Sequence, residues 1–273
     1  MNLAVSNIAW PNDADAEAAG LLQRHGIRGV ELAPRKVWPE PASATAADAV
    51  AVRRWWEDRG IQIVAFQALL FGRPELILFG SDIIRRQLAD YLARIIDLAT
   101  WVGARVLVFG SPKNRLRGER KSGEVWPMAV DFFRTVGAIA AARGVVVGIE
   151  ANPAEYGGDF LTHVADVQRF VREVNSPGVG LHLDAGGMRL TGETPRDAEP
   201  VLPVHYHLSE PSLMPLGSDP ELPHAAWMRA VAATGYRGWY SIEMRQPGEN
   251  WSEQLQEAVV RAQALLPPVD VDG

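Results

Sequence analysis

The chain has 273 residues, 47% hydrophobic and 22% charged, enough apolar material for a full-sized core and too much for a disordered chain. With no cysteine it can have neither disulfides nor a thiolate nucleophile, so any metal must be held by His and carboxylates. A net charge of −6 with scattered Lys and Arg argues against gripping a nucleic-acid backbone, and the basic cluster from Lys113 to Lys121 reads as a solvated loop.

The N-terminal stretch MNLAVSNIAWPNDADAE lacks the basic flank of a signal peptide, and no apolar run approaches the ~20 residues that span a bilayer. A cytoplasmic protein with no membrane partner is therefore expected. The first strand is expected near 3–8, just before Trp10. A second follows near 28–32 and carries Glu31, and a third near 61–67 ends in Gln67. From 81 to 101 the apolar residues Ile84, Leu88, Leu92, Ile95 and Ile96 recur at spacings that form one helical stripe. Strands follow near 105–109, 145–150, 179–184, 203–208 and 238–243. Gly26, Gly60, Gly103, Gly144 and Gly235 each sit between a helical stretch and the next strand, where a left-handed residue closes a helix. The sixth helix is the weak element, because TGETPRDAEPVLP leaves room for a turn or two. Eight strand–helix units in this length fit a single (β/α)₈ TIM barrel of the α/β class, filling 1–273 without a linker. No glycine-rich dinucleotide fingerprint or P-loop occurs, which argues against a doubly wound sheet.

In such a barrel the active site lies at the C-terminal ends of the strands. Four consecutive strands end in a chemically active residue: Glu150, Asp184, His207 and Glu243. Two residues earlier, on the same inward face, stand Gly148, His182, His205 and Ser241, a small or polar layer where a bland interior would carry Val, Ile and Leu. Val204, Tyr206 and Leu208 are expected to face the helices. Three carboxylates beside one imidazole would repel and take up protons unless a cation sits among them, so a divalent metal is expected.

The motifs IEANPAEYGGDF, LHLDAGG, HYHLSE and SIEM together resemble the sugar isomerase and epimerase branch of the xylose isomerase-like TIM barrels, which includes tagatose and psicose epimerases. The resemblance extends in element order over nearly the whole chain. It implies Glu150, Asp184, His207 and Glu243 as metal ligands and leaves His205 beneath them. That oxygen-rich set suits Mn²⁺ first, with Mg²⁺, Co²⁺ and Zn²⁺ as alternatives. It also implies proton transfer next to a carbonyl through an enediolate, with Glu150 and Glu243 as the catalytic bases, giving epimerisation or aldose–ketose isomerisation.

Substrate contacts are expected from Trp10, Glu31, Gln67, His182, His205 and Arg245, and from Glu155, which stands one residue nearer the strand 5 ligand than the family's second glutamate. Two departures bear on substrate. Gly187 stands where the well-studied epimerases have a His, and PSLMPL after the strand 7 motif lacks their Arg. The two departures weigh against the familiar free-ketohexose substrates, and a free sugar, a keto-glycoside and a small polyol acid all stay open as substrate classes. The alternatives are a metal-dependent dehydratase or lyase of the same barrel family, or a catalytically silent sugar-binding barrel. Endonuclease IV is disfavoured because its additional His ligands are missing. The expected partner is a small-molecule carbohydrate rather than nucleic acid, with self-association as a homo-oligomer left open.

Overall fold

Eight parallel strands hydrogen-bond in sequence order and close on themselves, β1 pairing with β8, in a computed structural model that describes residues 1–198, 201–246 and 248–266. They are β1 (Asn2–Ser6), β2 (Gly29–Leu32), β3 (Gln62–Phe66), β4 (Val106–Phe109), β5 (Val146–Glu150), β6 (Val179–Asp184), β7 (Pro203–Ser209) and β8 (Trp239–Glu243). Each lies within about two residues of its expected place. The architecture is the (β/α)₈ barrel that the strand spacing implies.

Around the barrel run α1 (Asp15–Arg24), the single turn α2 (Pro34–Val37), α3 (Ala46–Glu57), α4 (Asp82–Val102), α5 (Ser122–Ala142), α6 (Val164–Val174), α7 (Ala185–Thr191), α8 (His224–Ala233) and α9 (Trp251–Ala264). Ser81 caps α4 by accepting from the Ile84 amide, and Leu88, Leu92, Ile95 and Ile96 of its stripe are buried against the barrel. All five glycines read as helix closures adopt positive φ, from 67° at Gly26 to 94° at Gly235. The weak sixth helix is short but begins directly at Asp184, before the proline-rich stretch, of which Glu199 and Pro200 lie outside the described residues.

Two expectations are corrected. By length and composition α5 is apolar enough to cross a membrane, whereas the sequence reading expected no such stretch. In the barrel, α5 instead buries Val125, Ala129, Val130, Phe133 and Val136. Val204 does not face the helices. A register shift pairs Leu181 with Pro203 but His182 with His205, so Val204 is the extra residue of a bulge. It packs into the barrel floor beside Gly148 and Gly180, and a side chain at Gly180 would collide with it.

Candidate active site

At the C-terminal ends of the strands opens a cavity of about 720 Å³. Its lining includes Glu150, Asp184, His207 and Glu243, the ends of four adjacent strands. Period-two alternation, restarted after the bulge, directs both histidines of VHYHLSE inward.

His207 is almost completely buried and is pulled in two directions. Its Nε2 lies 3.1 and 3.2 Å from the two carboxylate oxygens of Glu31, which also accepts a 2.6 Å hydrogen bond from Ser241 Oγ. Its Nδ1 faces the cavity side, 3.0 Å from Glu243 Oε2 and 3.7 Å from Asp184 Oδ2, yet makes no well-aligned hydrogen bond to either. Burial alone would lower the His207 pKa, but Glu243 and Glu31 outweigh it and hold the ring well above the usual histidine range. Burial likewise opposes the charge on Glu31, and the neighbouring His207 and His205 win, keeping it well below the carboxylate range.

Asp184 caps α7, accepting from the Gly187 amide at 2.6 Å and from Ser209 Oγ at 2.5 Å. Burial and the charge of Glu243 push Asp184 up to about 6. Glu150 packs so closely on Gly110 that a Cβ there would collide with its carboxylate, and Asn152 borders the same space. Burial, with Asp184 and Glu243 nearby, pushes Glu150 up to about 8. Glu243 is held on the opposite side by Gln67, whose amide donates to it at 3.0 Å.

Donor atoms of Glu150, His182, Asp184 and His207 lie within 4.8 Å of one another, a cluster able to hold a cation. The predicted quartet had Glu243 in place of His182. Glu243 reaches this group through His207, while His182 is wholly buried, its ring edge-on to His207 with centroids 4.2 Å apart. The two raised carboxyl pKa values are what carboxylates crowded into a buried cation-binding donor set show when no cation balances their charge.

The expected substrate contacts divide. Gln67 and Arg245 line the cavity. Glu31, His182 and His205 form a buried layer beneath it, with His205 Nε2 3.5 Å from Glu31. Trp10 is 0% exposed, donates from Nε1 to Asp15 at 2.6 Å and packs on Trp56, a core residue and not part of the lining. Glu155 is exposed in a 3₁₀ turn outside the lining, and the next residue, Tyr156, enters it instead.

Other lining residues were not among the expected contacts. Asn152, Tyr156, Ser111 and Ser212 supply polar lining. Arg115 corrects the reading of 113–121 as a solvated loop: it is buried and donates from Nη2 to the Glu150 carbonyl at 2.6 Å. Burial lowers its pKa to about 10. Its basic neighbours hid it.

The sequence matches the model of the xylose isomerase-like TIM barrel family over residues 19–262. The chain belongs to that family. No curated protein matches it. Among solved structures, the barrel resembles a D-psicose 3-epimerase from Clostridium cellulolyticum H10 solved with D-tagatose. The two share 15% identity, with 97% of this chain and 99% of that one covered, at a TM-score of 0.79. A 3-keto-D-glucoside 4-epimerase from E. coli matches at 18% identity with the same coverages and TM-score. The IolI protein, solved with a zinc atom, matches at 16% identity over 97% and 96% of the two chains, with a TM-score of 0.71. At these identities the likeness establishes the shared barrel.

Proposed function

We propose that this family member is a divalent-metal-dependent sugar isomerase or epimerase that moves a proton at a carbon next to a carbonyl. One observation carries the reading: Glu150 and Glu243 line a single cavity, separated along the barrel wall by Asp184 and His207. Two carboxylates so placed approach a bound substrate from different sides, as exchange of a proton between faces requires.

Glu150, Asp184, His207 and Glu243 would hold the cation. One imidazole with three carboxylates suits Mn²⁺ ahead of Zn²⁺. When bound, the cation supplies positive charge where an enediolate develops negative charge. The remaining work belongs to the chain. Glu31, itself held by the Ser241 hydroxyl, fixes the His207 ring by taking its Nε2 side, which leaves Nδ1 turned to the ligands. Ser209 and the Gly187 amide hold Asp184. Gln67 orients Glu243, and the bare Cα of Gly110 admits the Glu150 carboxylate. Gln67, Asn152, Tyr156 and Arg245 line the cavity and would contact sugar hydroxyls. His182 and His205 support the centre from below.

Purified protein should be incubated with ketoses, 3-keto-glycosides and inososes, with Mn²⁺ and separately with Mg²⁺, Co²⁺ and Zn²⁺, and the products read by NMR. The reading expects one substrate class to be converted and a chelator to stop it. Sugar binding without conversion under every metal would identify a silent binding barrel instead.

A further inference from the structure

The carboxylates of the cavity and His207 occupy the strand ends, whereas a second set of its lining is apolar: Ile8, Ala68, Phe71, Val108, Pro112 and Leu213. A monosaccharide has hydroxyls on nearly every carbon and gains little from such a wall. A cavity of about 720 Å³ lies within the ~300–1,000 Å³ range that encloses drug-sized ligands, larger than one sugar ring.

Phe71 is the outlier. Isolated exposed apolar side chains are ordinary, but this ring is 72% exposed on a loop whose neighbours are fixed. Leu69 and Leu70 are buried, and Tyr91 Oη donates to the Leu69 carbonyl at 3.2 Å. On the other flank Arg35 donates to the Gly72 carbonyl at 3.2 Å, and Gly72 takes a φ of 75° where a side chain would strike Arg35. The ring is thus held out into solvent at the cavity by an anchored turn.

Backbone strain concentrates at the same place. Among the described residues six that are not glycine have φ in the left-handed region, and four of them, Ala68, Ser111, Ser212 and Leu213, line this cavity. They come from three separate loops, after β3, β4 and β7. The last loop is tied down as well, since the Ser212 amide donates to Tyr156 Oη at 2.9 Å and the Arg245 amide to the Leu213 carbonyl at 2.8 Å. Conformations this unfavourable persist where the surroundings over-determine them, and they cluster at ligand clamps.

We infer that Phe71, with Pro112 and Leu213, forms a preshaped subsite for a flat ring attached to the reacting sugar, so that the substrate class is a keto-glycoside and not a free ketose. This rests on the sugar reading of the polar floor. The flat ring is either an aryl aglycone or the apolar face of a second sugar, both of which stack on an aromatic side chain.

The test is calorimetric binding to Mn²⁺-loaded protein of three ligands sharing one reacting unit: methyl 3-keto-glucopyranoside, its phenyl counterpart and 3-keto-cellobiose. On the wild-type protein the phenyl or glucosyl ligand, or both, should bind about tenfold more tightly than the methyl one, and which of them does so identifies the ring. Phe71→Ala, at an exposed position, should reduce that ratio towards one, and Phe71→Tyr should restore it. No preference in the wild-type protein, or a preference that survives Phe71→Ala, would overturn the inference, as would failure of all three to bind. Because the readout is binding, a Phe71-dependent preference without any turnover would uphold the subsite while removing the isomerase or epimerase reading.

Discussion

His207 has one ring nitrogen turned to Glu31 and the other towards Asp184 and Glu243, so its orientation is set by the buried carboxylate below and its chemistry by those above. Replacing it by Ala should abolish tight cation binding while circular dichroism still reports a folded barrel. A His207→Ala protein that binds Mn²⁺ as the wild type does would remove it from the ligand set. Glu150→Gln and Glu243→Gln keep an oxygen for the cation but lose the proton acceptor. Turnover should fall by ~10²- to 10⁴-fold, with substrate affinity affected less. Gly110→Ala offers a subtler check, since the added methyl would occupy the place of the Glu150 carboxylate. Its expected effect is a drop in kcat with little change in thermal stability, and unchanged kcat would show that Glu150 works from another rotamer. The strand-end residues were legible because a strand's period of two and the polarity of a barrel's top fix where they point. Arg115 was not legible: it is buried only because the loop after β4 packs against the loop after β5, where Asp159 also accepts from the Arg117 and Gly118 amides. Trp10 was ambiguous for a similar reason, since only the fold reveals that Asp15 and Trp56 enclose it.

The loop from β7 to α8 is tied to one buried carboxylate. Glu210 accepts from His224 Nε2 at 3.0 Å, from the Gly217 amide at 2.7 Å and from the Asp219 amide at 3.3 Å, pinning the loop that carries Ser212 and Leu213. Glu210→Ala strands His224 and two amides, which should cost ~1–3 kcal/mol by chemical denaturation. It should also raise KM more than it lowers kcat, because the loop lines the cavity without reaching the reacting centre. An unchanged KM would separate the loop from substrate binding. The element order was readable from glycine-closed helices and β-branched runs, and the motif HYHLSE pointed to this loop without disclosing what its Glu does. The bulge at Val204 escaped because a register shift leaves no mark in a strand's alternation and is decided by space, here that left by Gly148 and Gly180.

At the scale of the molecule, the carboxyl cluster ties stability to pH and to metal. Burial and neighbouring carboxylates raise Glu150 and Asp184 to about 8 and about 6 from ordinary values of 4.5 and 3.8, so without a cation the fold would bind their protons more tightly than the unfolded chain does. Their contribution to stability is present below the unfolded values and is lost as pH rises through the folded ones. The chelated protein should therefore melt at a lower temperature at pH 8.5 than at pH 5, and Glu150→Gln should reduce that difference. Mn²⁺ should stabilise most at the higher pH, where binding need not displace protons. An equal Mn²⁺ shift at both pH values would mean that the cation does not bind to these carboxylates. The central claim is proton exchange at a carbon next to a carbonyl, and the most direct measurement is solvent deuterium incorporation into a bound keto-sugar or keto-glycoside, followed by NMR in D₂O. The account predicts incorporation that requires the divalent cation and falls by at least ~10²-fold in both Glu150→Gln and Glu243→Gln. Incorporation that survives a chelator, or that persists in either variant at the wild-type rate, would contradict it.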